Sequence, residues 1–137
     1  MPLERVQLIA EFRAGLRTFL RQSEQASRRW GLTPQRYLLL LTVKGAPDGS
    51  ERMSFTELAQ RLKVSPNTVT ELVTRAERAR LVRRERAEHD QRVVYVRLTE
   101  EGERRLMGVL IESDAYRREV ARAFESLIAS FESAWRP

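Results

Sequence analysis

The sequence predicts a mainly α-helical fold with one small β-hairpin, and three observations predict it. Apolar residues recur at three- and four-residue steps towards both ends of the 137-residue chain, as they do in helices with one face to bury. Two helix starts with the same grammar, Met53-Ser54-Phe55-Thr56-Glu57-Leu58 and Val64-Ser65-Pro66-Asn67-Thr68-Val69, stand close together in the middle. Beyond them the pattern changes to Val93-Val94-Tyr95-Val96-Arg97-Leu98, rich in β-branched and aromatic residues.

In order along the chain, residues 3–29 form one long helix, with Val6, Ile9, Phe12, Leu16, Phe19 and Leu20 on its apolar stripe and Trp30-Gly31 at its end. A second helix is expected over residues 34–44: Thr33 caps it, Pro34 suits its first position, and Leu32 is placed to staple onto Tyr37. Leu38 to Leu41 is an unbroken apolar run, so this short helix is expected to be buried. Gly45-Ala46-Pro47-Asp48-Gly49-Ser50 is the clearest loop.

Ser54 with Glu57 makes a capping box for a helix over residues 55–62, and Ser65 with Pro66 opens another over residues 66–79. Two short amphipathic helices joined by a tight turn form a helix-turn-helix. A hairpin of residues 82–85 and 93–98 follows, and helix-turn-helix then hairpin is the order of a winged helix. Thr99 caps a further helix with Glu100 and Glu101 in its first turn, where the helix dipole favours acids. The last segment carries Tyr116, Val120, Phe124, Leu127, Ile128, Phe131 and Trp135 at heptad-like spacing. The terminal helices hold more apolar face than one small core can use. A dimer supplies the cover; the competing arrangement is a monomeric bundle around the same residues.

Composition narrows the chemistry. With no cysteine and one histidine, His89, the chain has no disulfide framework, no thiolate or multi-histidine metal site, and no thiol sensor. No run approaches the length of a membrane span, and the N-terminus lacks the pattern of a secretory signal, so a cytoplasmic location is expected. The 25 Lys+Arg against 19 Asp+Glu give a formal net charge of +6. The excess is concentrated before residue 100, most densely at Arg78, Arg80, Arg83, Arg84 and Arg86, and residues 100–137 are net acidic. Such a cluster points either to nucleic acid or to a solvated basic surface.

These motifs resemble the MarR family, the multiple-antibiotic-resistance regulators. The residues that carry the resemblance are Gly31-Leu32-Thr33-Pro34-Gln35, Glu57-Leu58-Ala59-Gln60-Arg61-Leu62, Ser65-Pro66-Asn67-Thr68-Val69-Thr70, the wing tip Asp90-Gln91-Arg92, and Val96-Arg97-Leu98-Thr99-Glu100-Glu101-Gly102. It implies a winged helix-turn-helix DNA-binding domain over residues 31–99, with residues 1–30 and 100–137 as dimerisation helices. It also implies a homodimeric, sequence-specific transcriptional regulator of double-stranded DNA, a ligand-responsive repressor of its own or a neighbouring promoter. Three positions depart from the family pattern: Lys63 and Arg80 stand where glycine is common, and Glu71 where a basic residue is frequent.

The second helix of a helix-turn-helix enters the major groove by its N-terminal part. Ser65, Asn67, Thr68 and Thr70 are therefore the expected contacts, Asn67 to adenine and Thr68 to a thymine methyl or a phosphate. Arg75 matches a basic position of the family's recognition helix and would meet phosphate or guanine. Arg92 resembles the wing arginine that enters the minor groove, Asp90 the acid that orients it, and Arg84 and Arg86 would add phosphate contacts. The family further implies a small amphipathic or phenolic effector. Phe12, Phe19, Trp30, Tyr37 and Tyr116 are the aromatic residues available to line its pocket, or else they are core. No cofactor, metal or catalytic residue is expected: His89 beside Asp90 lacks a nucleophile, and no phosphate-cradling loop is present. The alternatives are an architectural protein of low sequence preference and a winged-helix module that binds another protein.

Overall fold

The computed structural model describes residues 1–134; Trp135, assigned above to the last apolar stripe, lies outside them. The element order is α1 (Leu3–Arg29), α2 (Pro34–Lys44), β1 (Arg52–Ser54), α3 (Phe55–Leu62), α4 (Pro66–Arg78), β2 (Val82–Arg86), β3 (Val94–Leu98), α5 (Glu100–Glu112) and α6 (Asp114–Ala134). This is the mainly helical chain with a small wing that the sequence predicts. The described residues divide into two compact units, one of residues 1–26 with 109–134, the other of Ser27–Gly108.

Within Ser27–Gly108 the helices start where local chemistry places them. Thr33, Ser54 and Ser65 hold extended backbone, and their hydroxyls accept from the backbone N–H of Arg36, Glu57 and Thr68. Each cap satisfies a donor that a helix start leaves unpaired, worth about 1 kcal/mol. Ser54 Oγ accepts from Glu57 N and donates to Glu57 Oε1, both at 3.1 Å, so the serine and acid of the predicted capping box meet through the hydroxyl. The turn between α3 and α4 passes through Lys63 in a left-handed conformation, φ 56°. Its N–H and that of Val64 are donated to Ala59 O, so the end of α3 is sealed despite the absence of glycine.

The core of this unit is drawn from every element around it. Leu39, Leu40 and Val43 of α2, Leu58 of α3, Val69 and Val73 of α4, and Val96 of β3 are fully buried. Leu38 is 49% exposed, so the apolar run of α2 is not buried all round. Residues 38 and 40 lie about 200° apart on a helix, and in α2 the core takes the side that carries Leu39, Leu40 and Val43. The sheet is antiparallel in the order β1-β3-β2. Arg52, Met53 and Ser54 pair with Arg97, Val96 and Tyr95, and Val82–Arg86 pairs with Leu98 back to Val94.

β1 is absent from the sequence reading, where Met53 and Ser54 figure only in the start of the next helix. Three residues show no period, and the strand exists because β3 offers it a free edge. Thr99 accepts from Gly102 N and donates to Arg80 O at 2.7 Å, tying the start of α5 to the turn before β2. A Cβ at Gly102 would run into Leu81 O, so only glycine fits there.

In the other unit, Phe12 of α1 stacks against Phe124 of α6 with ring centroids 5.5 Å apart, and Arg5 lies over Phe131. Leu127 is buried, while Leu3, Val6, Leu20 and Ile111 remain exposed.

Candidate nucleic-acid interface

The site is built from α4 and the wing, both within Ser27–Gly108. α4 buries Val69, Val73 and Ala76, which leaves Asn67, Thr68, Thr70, Glu71, Arg75 and Arg78 exposed. Ser65 is spent as the cap and contacts Thr68 Oγ1 at 3.0 Å. Thr70 donates its hydroxyl back to Pro66 O at 3.1 Å, so what remains for a partner is its acceptor lone pairs and its methyl group. The side chains of Asn67 and Arg75 have no hydrogen bond or ion pair among the described residues and present their full donor sets.

At the wing, the segment between β2 and β3 is closed by Ala87 N donating to Val93 O and Val93 N donating to Asp90 O, both at 3.0 Å. Asp90 Oδ1 accepts from the backbone N of Arg92 at 3.0 Å and from its Nε at 3.3 Å. Two bonds to one carboxylate orient the guanidinium, yet its side chain is 93% exposed. Arg86 donates to Gln91 O at 3.1 Å and braces the same tip. Arg84 is differently employed: it pairs with Glu77 at 3.3 Å, donates to Thr74 Oγ1 and lies over the Phe55 ring. It fastens the wing to α3 and α4. Between wing and α3 runs an open groove of about 360 Å³ lined by Ser54, Phe55, Thr56, Arg84, Arg92, Val93 and Val94.

Sequence reasoning missed a cluster under the wing. Glu85 accepts from Arg52 at 2.9 Å and from Arg97 at 3.1 Å, Arg97 also donates to Ser50 O, and Arg52 lies over the Tyr95 ring. Burial pushes the Glu85 carboxyl up, but bonds from Arg97 and Arg52 outweigh it and hold the group below its ordinary value. One acid thus crosslinks all three strands. Its partners lie in β1 and β3, and without β1 the sequence gives no reason to bring Arg52 to Glu85.

The five aromatic residues considered for an effector pocket do not form one set. Phe19 and Tyr116 line a cavity of about 190 Å³ with Gly15, Thr18, Gln22, Glu119 and Val120, where Gln22 Oε1 is buried without a partner. Phe12 packs on Phe124. Trp30 and Tyr37 belong to the other unit, where the Trp30 ring occupies the space a Cβ at Gly108 would need.

A sequence profile of the MarR family matches residues 30–93, which takes in α2 to the wing tip. Over this segment the chain resembles the MarR family. A relative in Bacillus subtilis, the HTH-type transcriptional repressor MdtR, is 29% identical over 76% of this chain and 67% of that protein. The crystal structure of AbsC, a MarR family transcriptional regulator from Streptomyces coelicolor, is 27% identical and superposes with a TM-score of 0.67 over 100% of this chain and 93% of that one. Sco3205, another MarR family regulator of S. coelicolor, was crystallised in complex with DNA; it is 20% identical, with a TM-score of 0.66 over 100% of this chain and 91% of its own. Both MdtR and AbsC are named as regulators of transcription. Among the described residues no helix is long and apolar enough to cross a membrane.

Proposed function

We propose that this protein is a homodimeric, sequence-specific DNA-binding repressor, acting on its own or a neighbouring promoter and released by a small amphipathic effector. The observation that carries the reading is the pairing, in one compact unit, of an exposed polar α4 face with an oriented and solvent-exposed wing arginine. α4 would lie in the major groove, with Asn67 on adenine, Thr68 and Thr70 on thymine methyls or phosphates, and Arg75 on phosphate or guanine. Arg92 would enter the minor groove, where narrow A·T-rich stretches concentrate negative potential. Asp90 fixes its direction, Arg86 braces the wing tip, Arg84 holds the wing against α4, and both arginines would add positive charge near the backbone.

Dimerisation is supported by the apolar side chains that the unit of α1 and α6 leaves exposed, Leu3, Val6, Leu20, Phe124 and Phe131 among them. Repression is supported by the relative MdtR, and DNA as partner by the Sco3205 complex. The cavity at Phe19 and Tyr116, which mixes those rings and Val120 with Thr18, Gln22 and Glu119, suits a small amphipathic molecule. Control then requires only that the effector bind two DNA-reading conformations unequally.

Arg92→Ala tests the reading, measured by DNA affinity alongside sedimentation. The variant is expected to lose roughly tenfold or more in affinity, equivalent to about 1.4 kcal/mol, while sedimenting as the wild-type dimer. Unchanged DNA affinity contradicts the assignment of the wing.

A further inference from the structure

Each residue turns α4 by about 100°. Measured from the buried stripe of Val69, Val73 and Ala76, the row diametrically opposite holds Asn67, Glu71, Thr74 and Arg78. Thr74 is engaged by Arg84. Glu71 is the exposed centre of that row. Among the described residues its carboxylate has no ion pair or hydrogen bond, although Arg75 lies one turn further on and the chain carries 25 cations.

A carboxylate carried into a groove between phosphates is repelled and stripped of water, so it is tolerated only where it meets a donor. The major groove offers two kinds, cytosine N4–H₂ and adenine N6–H₂. Adenine sets the N7 acceptor beside its donor, which repels the second carboxylate oxygen; cytosine carries no acceptor on that edge. Guanine presents O6 and N7, and thymine O4, all of them acceptors.

We propose that Glu71 is a specificity-determining residue that accepts a hydrogen bond from cytosine N4 at one position of each half-site and rejects guanine and thymine there. The proposal rests on the DNA-binding reading above, with α4 in the major groove. It places an acid at the centre of the contact face and assigns it selection by exclusion, since each wrong base leaves it against an acceptor. Asn67 and Arg75 supply attraction on either side of it.

The test is selection of bound duplexes from a randomised DNA library by the full-length protein, repeated with Glu71→Gln and Glu71→Ala. Anisotropy is then measured on single-base variants of the selected site. Wild type is expected to prefer cytosine at one position per half-site by roughly five- to a hundredfold. Glu71→Gln moves that preference to adenine, which an amide bonds through N6 and N7. Glu71→Ala flattens that position alone, leaving the other positions and the salt dependence as in wild type. A selected site whose base preferences are the same in wild type and Glu71→Ala overturns the role of Glu71 while the DNA-binding reading stands. Failure of wild type to select any duplex, even at low salt, overturns that reading and this proposal with it.

Discussion

Lys63 and Arg80 each hold a left-handed backbone, at φ 56° and 61°, which glycine adopts without steric cost and other residues do not. Both are positions where the resemblance leads one to expect glycine, and the structure keeps the turn and bears the strain. Leu81 N and Val64 N, the N–H groups just beyond them, donate to Ala76 O and Ala59 O and lock the helix ends in place. Lys63→Gly is therefore expected to stabilise the fold by about 1 kcal/mol, less the greater entropy of glycine in the unfolded chain. Lys63→Ala, with a Cβ retained, should give no such gain. Urea unfolding of the three proteins checks this, and equal midpoints for Gly and Ala contradict the strain. The caps Thr33, Ser54 and Ser65 were legible because each depends on a residue three positions away. Glu71 was visible as a departure, but its central place on the α4 face needed the buried stripe to be fixed first.

At the level of elements, the junction of α5 with the preceding turns shows how charge completes what sequence capping begins. Glu101 in the first turn of α5 accepts from Arg104 and from Arg105 at 2.8 Å, and Arg105 also donates to Gly31 O. Bonds from Arg104, then Arg105, hold the Glu101 carboxyl down at about 2, against an ordinary value of 4.5. A depressed carboxyl contributes stability that is present above 4.5 and is lost as pH falls towards about 2. The melting temperature of wild type is thus expected to exceed that of Glu101→Gln by a constant margin at neutral pH, with the margin closing between about pH 4.5 and pH 2. A gap that persists unchanged to pH 2 contradicts the ion-pair account. The helices and the hairpin follow from short-range pattern, whereas β1 and the Arg52–Glu85–Arg97 crosslink depend on pairing between strands distant in sequence. The partners of Arg84 were hidden for the same reason: nothing local to it announces Glu77, Thr74 and Phe55 as its neighbours.

On the scale of the molecule, one unit carries an exposed polar helix face and a braced wing tip, and the other carries uncovered apolar side chains. A net charge of +6 favours sequence-independent attraction to phosphates, so affinity by itself decides little. What separates a sequence-reading regulator from a DNA-coating protein is the ratio of specific to non-specific binding at a stated salt concentration. The most direct measurement is fluorescence anisotropy with DNA from upstream of the protein's own gene and with a shuffled duplex, at several salt concentrations. A dimer meeting about eight phosphates should lose roughly three to five decades of affinity between about 50 and 200 mM salt. The native fragment should bind at least about a thousandfold more tightly than the shuffled one. Equal binding of the two fragments, or no binding of either at low salt, would contradict the reading of this chain as a sequence-specific regulator of its own promoter.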